Sequence, residues 1–147
     1  MDINKLREQL KIDEGVKYEV YDDHLGYKTF GIGHLVKATD EEYGAKVGTP
    51  VSEERVNAIF ESDVQTYISE AKTVFGFLEN MPSEAQQVIV NMCFNLGAPR
   101  LKKFKKFITA MNKEEWKVAA VEMLDSNWAR QVGERANRLS DRIKYLT

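Results

Sequence analysis

Glu14 and Asp23 are the two carboxylates whose settings differ most usefully. Glu14 closes an apolar stripe of helical spacing, so it stands where the helix macrodipole is negative and the ionised form is disfavoured. Asp23 lies nine residues on, in the polar turn Asp22–Asp23–His24–Leu25–Gly26. There, solvent and backbone N–H groups favour the charge. A carboxylic acid kept neutral near a carboxylate kept charged can split an acetal bond between sugars. One group protonates the leaving oxygen and the other attacks or activates water. Acidic residues at helix ends and in turns are usually only solvated, so the pair needs its surroundings to carry weight. Rival chemistries have less to work with. Cys93 is the single cysteine, which excludes an intrachain disulfide and a cysteine-only zinc site. Gly31 and Gly33 sit in a strand pattern with no helix start after them. That argues against a phosphate cradle and for close packing of the strand on the helix that bears Glu14.

A helix and then a hairpin must position these groups. Asp2 can cap a helix whose stripe is Ile3, Leu6 and Leu10, with Gly15 just past its end. Val16, Tyr18 and Val20 then alternate with polar neighbours, which predicts a strand. Tyr27, Thr29 and Phe30–Gly31–Ile32–Gly33 suit a second strand, so a small antiparallel hairpin or sheet is expected. Residues 37–50 read as a loop. Ser52 caps a long pattern in which Val56, Phe60, Val64, Tyr67, Ala71 and Phe75 keep the helical period. A helix that long is expected to connect the hairpin lobe to the remainder of the chain.

After Gly76 the pattern is all helix. Ala85 to Leu96 is apolar on several sides and reads as a buried central helix closed by Gly97. One helix is expected through Leu101, Phe104, Phe107, Ile108 and Met111, and another after a cap at Asn112. Ser126 and the segment from Glu134 to Tyr145 supply one or two more. The class is α+β, with a minor hairpin lobe and a major helical lobe in one domain over residues 1–147. The lobes are expected at about 13–60 and at 1–12 with 61–147.

The chain of 147 residues needs no staple to fold, and no apolar run approaches a membrane span. Its first residues are charged and lack the apolar core of a signal peptide, so synthesis in a cytoplasm and action after release are expected. Net charge is −2, unevenly spread: −3 over residues 1–49, −5 over 50–98 and +6 over 99–147. Such asymmetry suggests that the last third faces a polyanion. Lys102, Lys103, Lys105 and Lys106 are otherwise a solvated helix face.

Asp13–Glu14–Gly15, Tyr21–Asp22–Asp23 and Gly26–Tyr27–Lys28–Thr29–Phe30–Gly31–Ile32–Gly33–His34 belong to one ungapped stretch from Ile12 to His34. This stretch strongly resembles the N-terminal signature of the phage T4-type lysozymes, where a helix ends in a catalytic Glu and a β-hairpin carries an Asp and a Thr. The likeness continues through Phe60-x-x-Asp63-Val64, Asn91-Met92-x-Phe94-x-x-Gly97, Ser126-x-Trp128 and Arg135-Ala136-x-Arg138. It implies a lysozyme-like fold and a muramidase that cuts the β-1,4 bond of peptidoglycan. Glu14 would be the general acid, Asp23 would activate or orient water, and Thr29 would hold that water on the far face of the sugar. Inversion would result, with the carboxyl groups about 6.5 to 9.5 Å apart.

The same resemblance implies that Arg135 pairs with Glu14, His34 with Asp63, and Asp13 with Arg138, the last two as structural ion pairs. Sugar contacts would fall on Asn95, Arg135, Leu35 and Phe107, with Asn95 standing where better-known members carry Gln. Trp128 would be a core aromatic. No metal or organic cofactor is implied. The implied partner is peptidoglycan, met by a monomer without stable membrane insertion, and the basic last third would speed encounter with an anionic wall.

Three other readings fit these residues less well. A lytic transglycosylase of the same fold would have no use for a water-handling Asp23 and Thr29. A non-catalytic wall binder would not need Glu14, Asp23 and Thr29 together. A nucleic-acid binder lacks a helix-turn-helix signature, and the acidic first 98 residues would be repelled.

Overall fold

The computed structural model describes residues 1–147. The elements are α1 (Ile3–Glu14), β1 (Lys17–Asp22), β2 (Lys28–Gly31), β3 (His34–Leu35), α2 (Glu53–Val74), α3 (Ser83–Leu96), α4 (Ala98–Leu101), α5 (Lys105–Asn112), α6 (Trp116–Leu124), α7 (Asn127–Val132) and α8 (Glu134–Lys144). A short 3-10 turn, Leu78–Asn80, precedes α3. This is an α+β, lysozyme-like fold with its strands near the N-terminus. The chain divides into two compact units, residues 3–65 and residues 66–147 with Met1–Asp2.

In the first unit, α1 groups with the sheet rather than with the helical lobe. Its Leu6 and Leu10 are fully buried. Arg7 bonds Glu61 at 3.1 Å and lies 5.3 Å from the centre of the Phe60 ring, tying α1 to the first half of α2. The sheet has three antiparallel strands in the order β1-β2-β3. The third strand is an addition to the expected hairpin: the chain turns at Ile32–Gly33 and runs back, pairing Phe30 with His34 and Thr29 with Leu35. Side chains alternate across the pleat. Phe30, Val20 and His34 are buried, while the pairs Tyr21↔Thr29 and Thr29↔Leu35 put those three residues in one row across the sheet.

α2 starts where the sequence pattern places it. Ser52 Oγ accepts from the Arg55 N–H at 3.1 Å, and Glu53 and Glu54 fill the first turn. At 22 residues the helix is about 33 Å long. Gly31 explains how β2 approaches it, since a Cβ there would stand 3.2 Å from Val56 Cγ1. Of the two strand glycines, only Gly33 faces Glu14; Gly31 serves the contact with α2.

His34 is the polar centre of this unit. Its Nδ1 lies 2.7 Å from Asp63 Oδ2 and its Nε2 lies 2.7 Å from Asp40 Oδ2. Burial alone would push the imidazole pKa down, but the two carboxylates outweigh it and hold the value above the ordinary 6.5. Asp40 moves the opposite way. Burial would raise it, yet bonds from His34 and the Lys37 N–H hold it below the ordinary 3.8. A raised histidine stabilises fully below 6.5, and this contribution is lost as pH climbs through its folded pKa. A depressed aspartate stabilises fully above 3.8 and loses this as pH falls through its folded value. The cluster therefore works fully between 3.8 and 6.5. The difference in thermal midpoint between wild type and His34→Gln is expected to be widest there and to narrow in alkaline buffer. A difference that grows with rising pH would contradict the ion-pair reading.

The second unit is built around α3, in which residues 87–94 are buried without interruption. This matches the expectation of a helix apolar on several sides. α5, α6 and α8 pack in sequence, α6 touching both of the others, and α8 reaches α3. Arg142 closes that contact by donating to Glu84 at 2.7 Å and Gln87 at 2.9 Å. Two local expectations fail here. The single helix expected from Leu101 to Met111 is two, α4 and α5. Between them Lys103 and Phe104 donate to carbonyls three residues back, a tightening that ends α4 and turns the chain. Asn112 does not cap α6 but ends α5. The chain reverses through Glu114, with φ +57°, and Glu115 takes the cap position without a side-chain bond.

Candidate active site

α1 delivers Glu14 as its last residue, half-buried, at the point where the chain turns into β1. Gly33 forms one wall for it: a Cβ at residue 33 would meet Glu14 Oε1 at 3.0 Å and Glu14 Cβ at 3.2 Å. The glutamate side chain thus rests on the turn between β2 and β3, where only a residue without a side chain leaves room. The chain at Gly33 also has φ +65°, a conformation that glycine adopts freely.

Asp23 sits at the head of the β1–β2 turn. Its Oδ1 accepts the backbone N–H groups of Leu25 and Tyr27, both at 2.9 Å. Its own N–H donates to the Tyr27 carbonyl at 2.9 Å. A short acidic side chain that takes up the N–H groups of its own turn is fixed in direction. Both bonds fall on Oδ1.

Thr29 is buried to 2% and stands opposite Tyr21 on the neighbouring strand. Its hydroxyl donates to the Tyr27 carbonyl at 3.0 Å. With the proton committed, the lone pairs of Oγ1 are what it can offer to a donor such as water.

Tyr21 ties these residues together, and sequence reasoning missed it. Burial raises the pKa of the phenol above the ordinary 10.0, and the negative charges of Glu14 and then Asp23 push it further. Both carboxylates therefore act on one half-buried ring, which faces the same side of the sheet as Thr29. Lys17 Nζ lies 4.4 Å from the centre of that ring. No sequence signal marks it: its place follows from the register that sets Tyr21 opposite Thr29.

The remaining residues fall in different places. Leu35 is 52% exposed in the row with Thr29 and Tyr21. His34 has both ring nitrogens engaged by carboxylates and has no lone pair for a metal. Asp13 is half-buried on α1, and Arg138 is half-buried on α8 in the other unit. Arg135 is buried, and Asn91 Oδ1 accepts from its Nε at 3.0 Å and from Nη2 at 2.9 Å, fixing the guanidinium. Asn95 Oδ1 accepts the Trp128 indole N–H at 2.7 Å, which leaves the amide NH₂ as the end that can meet a ligand. Phe107 is only 1% exposed and stacks edge-on with Phe75 and Phe104, so its ring belongs first to the core. Cys93 is buried, and burial, then the charge of Glu70, pushes its thiol up to about 12, out of the range of a nucleophile.

This arrangement offers two differently held carboxyl groups and a hydroxyl acceptor around one phenol. Such a set can protonate a leaving oxygen and handle a water. A family model described as phage lysozyme matches residues 11–144. Two proteins of the slime mould Dictyostelium discoideum, "Probable T4-type lysozyme 2" and "Probable T4-type lysozyme 1", are each 31% identical to the chain. The first alignment covers 93% of this chain and 92% of the relative; the second covers 99% and 96%. The "Pre-baseplate central spike protein Gp5" of Enterobacteria phage T4 is 30% identical over 92% of this chain, which spans 27% of that longer protein.

Proposed function

The chain belongs to the phage lysozyme family, and from that premise we propose that it is a peptidoglycan hydrolase that cleaves the β-1,4 bond between N-acetylmuramic acid and N-acetylglucosamine. The observation that carries the reading is the convergence of Glu14 and Asp23 on Tyr21, opposite Thr29. Glu14 protonates the glycosidic oxygen as the bond from the anomeric carbon breaks. Asp23 takes a proton from a water that Thr29 Oγ1 orients, and the water oxygen bonds to the anomeric carbon from the other face. One proton enters the leaving sugar and one leaves the water, so the step balances and the anomeric configuration inverts.

Substrate contacts in this proposal come from the exposed Leu35, from the amide of Asn95 and from Arg135, whose fork Asn91 holds. Phe107 belongs to this set through packing rather than through direct contact, because its ring is buried. The reaction asks for no cofactor, since both acid–base groups are side chains. Digestion of purified bacterial walls tests the reading. New reducing ends are expected on N-acetylmuramic acid. Reducing ends on N-acetylglucosamine, or free peptides with intact glycan, would overturn it.

A further inference from the structure

Residues 37–47, which follow β3 in the first unit, form a loop in which no residue is buried. Its two apolar side chains of any size, Tyr43 and Val47, are exposed, so no core contact pins it. The bases of the loop are fixed: the Val36 N–H donates to the Lys28 carbonyl and the Gly48 N–H to the Val20 carbonyl. Between them, two acidic side chains tie the loop to the rest of the unit. Glu42 accepts from Arg55 Nε and Nη2, each at 3.0 Å, and Asp40 accepts from His34. A segment held by a few polar contacts and no buried apolar surface opens at low cost.

Asp40 Oδ2 is the hub of these ties. That one oxygen accepts from His34 Nε2 at 2.7 Å and from the Lys37 N–H at 2.8 Å. A single carboxylate thus joins the start of the loop to the ring on the strand before it. The ring faces a carboxylate at both nitrogens, since Nδ1 also lies 2.7 Å from Asp63 Oδ2. Both nitrogens must donate, and only imidazolium carries two N–H groups. A neutral ring serves one carboxylate and turns a lone pair on the other. The two partners are not equally free to move. Asp63 is fixed within the 22 residues of α2, whereas Asp40 stands on the loop. Asp40 is therefore the partner that leaves. Arg55 is the cation beside it, with Nη2 3.9 Å from Asp40 Oδ1. Glu41 and Glu42 add negative charge around Arg55, and Phe30, which packs 5.0 Å from the imidazole, adds none.

We propose that Asp40 is a positioning residue and that residues 37–47 are a proton-operated strap: imidazolium at His34 holds the strap closed, and loss of that proton to solvent frees it and loosens Leu35. Leu35 follows His34 in a strand of only two residues and stands in the row of Thr29 and Tyr21. The strap therefore governs the edge that meets the sugar chain rather than the acid–base groups, a consequence that rests on the hydrolase reading above.

NMR of the wild-type protein tests the strap without substrate. The His34 ring is titrated while amide exchange is followed, with allowance for the intrinsic pH dependence of exchange. As pH climbs above 6.5 and through the His34 titration, the Lys37 amide is expected to lose about tenfold or more of its protection, the size of one lost charge-assisted bond. Amides of α2 around Asp63 should keep theirs. Lys37 protection that stays constant through the titration, or a loss in α2 instead, would overturn the strap. Cleavage of soluble glycan fragments tests the positioning role. KM should rise about threefold or more over the same interval, part of what one apolar contact is worth, while kcat follows the acid–base groups. Asp40→Ala should hold KM at its alkaline value at every pH and leave the Lys37 amide unprotected throughout. A wild-type KM without a step, or the same step in Asp40→Ala, would overturn the positioning role. If no glycan is cut, the hydrolase reading fails and Lys37 exchange still judges the strap. If glycan is cut while KM and Lys37 protection ignore the titration, the strap fails and the hydrolase stands.

Discussion

Glu14→Gln should abolish lysis of bacterial walls while the protein still folds. Glutamine keeps the shape of the side chain, so its rest against Gly33 survives the change. What it loses is the acidic proton. An amide cannot donate to a departing alkoxide, and removal of a general acid costs about 10²- to 10⁴-fold in rate. Turbidity clearance and release of reducing ends should both fall by at least that factor. Far-UV circular dichroism and the thermal midpoint should stay close to wild type. Retained lysis would mean that another residue donates the proton.

Gly33→Ala is expected to be the next most damaging change, through geometry rather than chemistry. The residue has φ +65°, where an L side chain costs about 1–2 kcal/mol. The new methyl would also stand 3.0 Å from Glu14 Oε1 and 3.4 Å from its Cγ, so the carboxyl group must shift. A displacement near 1 Å of a reacting group can cost about 10²-fold. Gly44→Ala provides the comparison, because Gly44 has φ +82° and nothing within 4 Å of the added carbon. Both variants should lose similar stability in urea titrations, but only Gly33→Ala should lose activity. Equal activity in the two would show that the wall beside Glu14 is dispensable.

Much of the fold was legible because its signals are local. α1, the Ser52 cap and α3 arise from apolar spacing and end residues, and all three lie where those signals fall. The break at residues 102–104 was hidden because Leu101, Phe104, Phe107 and Met111 keep helical spacing straight through it. The partners that end α4 are carbonyls, which no side-chain pattern reports. Asn112 misled for a related reason: asparagine suits either end of a helix, and here it closes one. β3 has two residues, too few to show a period.

In the site, Glu14 and Asp23 stood out by their settings, whereas Thr29 and the pair His34–Asp63 came from family resemblance. Asp40 and Tyr21 came from neither. Asp40 sits in a polar loop and meets His34 only after the chain folds back. Tyr21 looked like one more strand residue until the register set it against Thr29 and both carboxylates acted on it. Burial works the same way at Phe107, whose core role depends on Phe75, far off in sequence.

Wall digestion in heavy-oxygen water tests most directly whether a proton donor and a water act across the bond. Each new N-acetylmuramic acid end should carry one heavy oxygen by mass spectrometry, and proton NMR should show the α-anomer first. Unlabelled anhydro ends, or a β-anomer appearing first, would contradict the account.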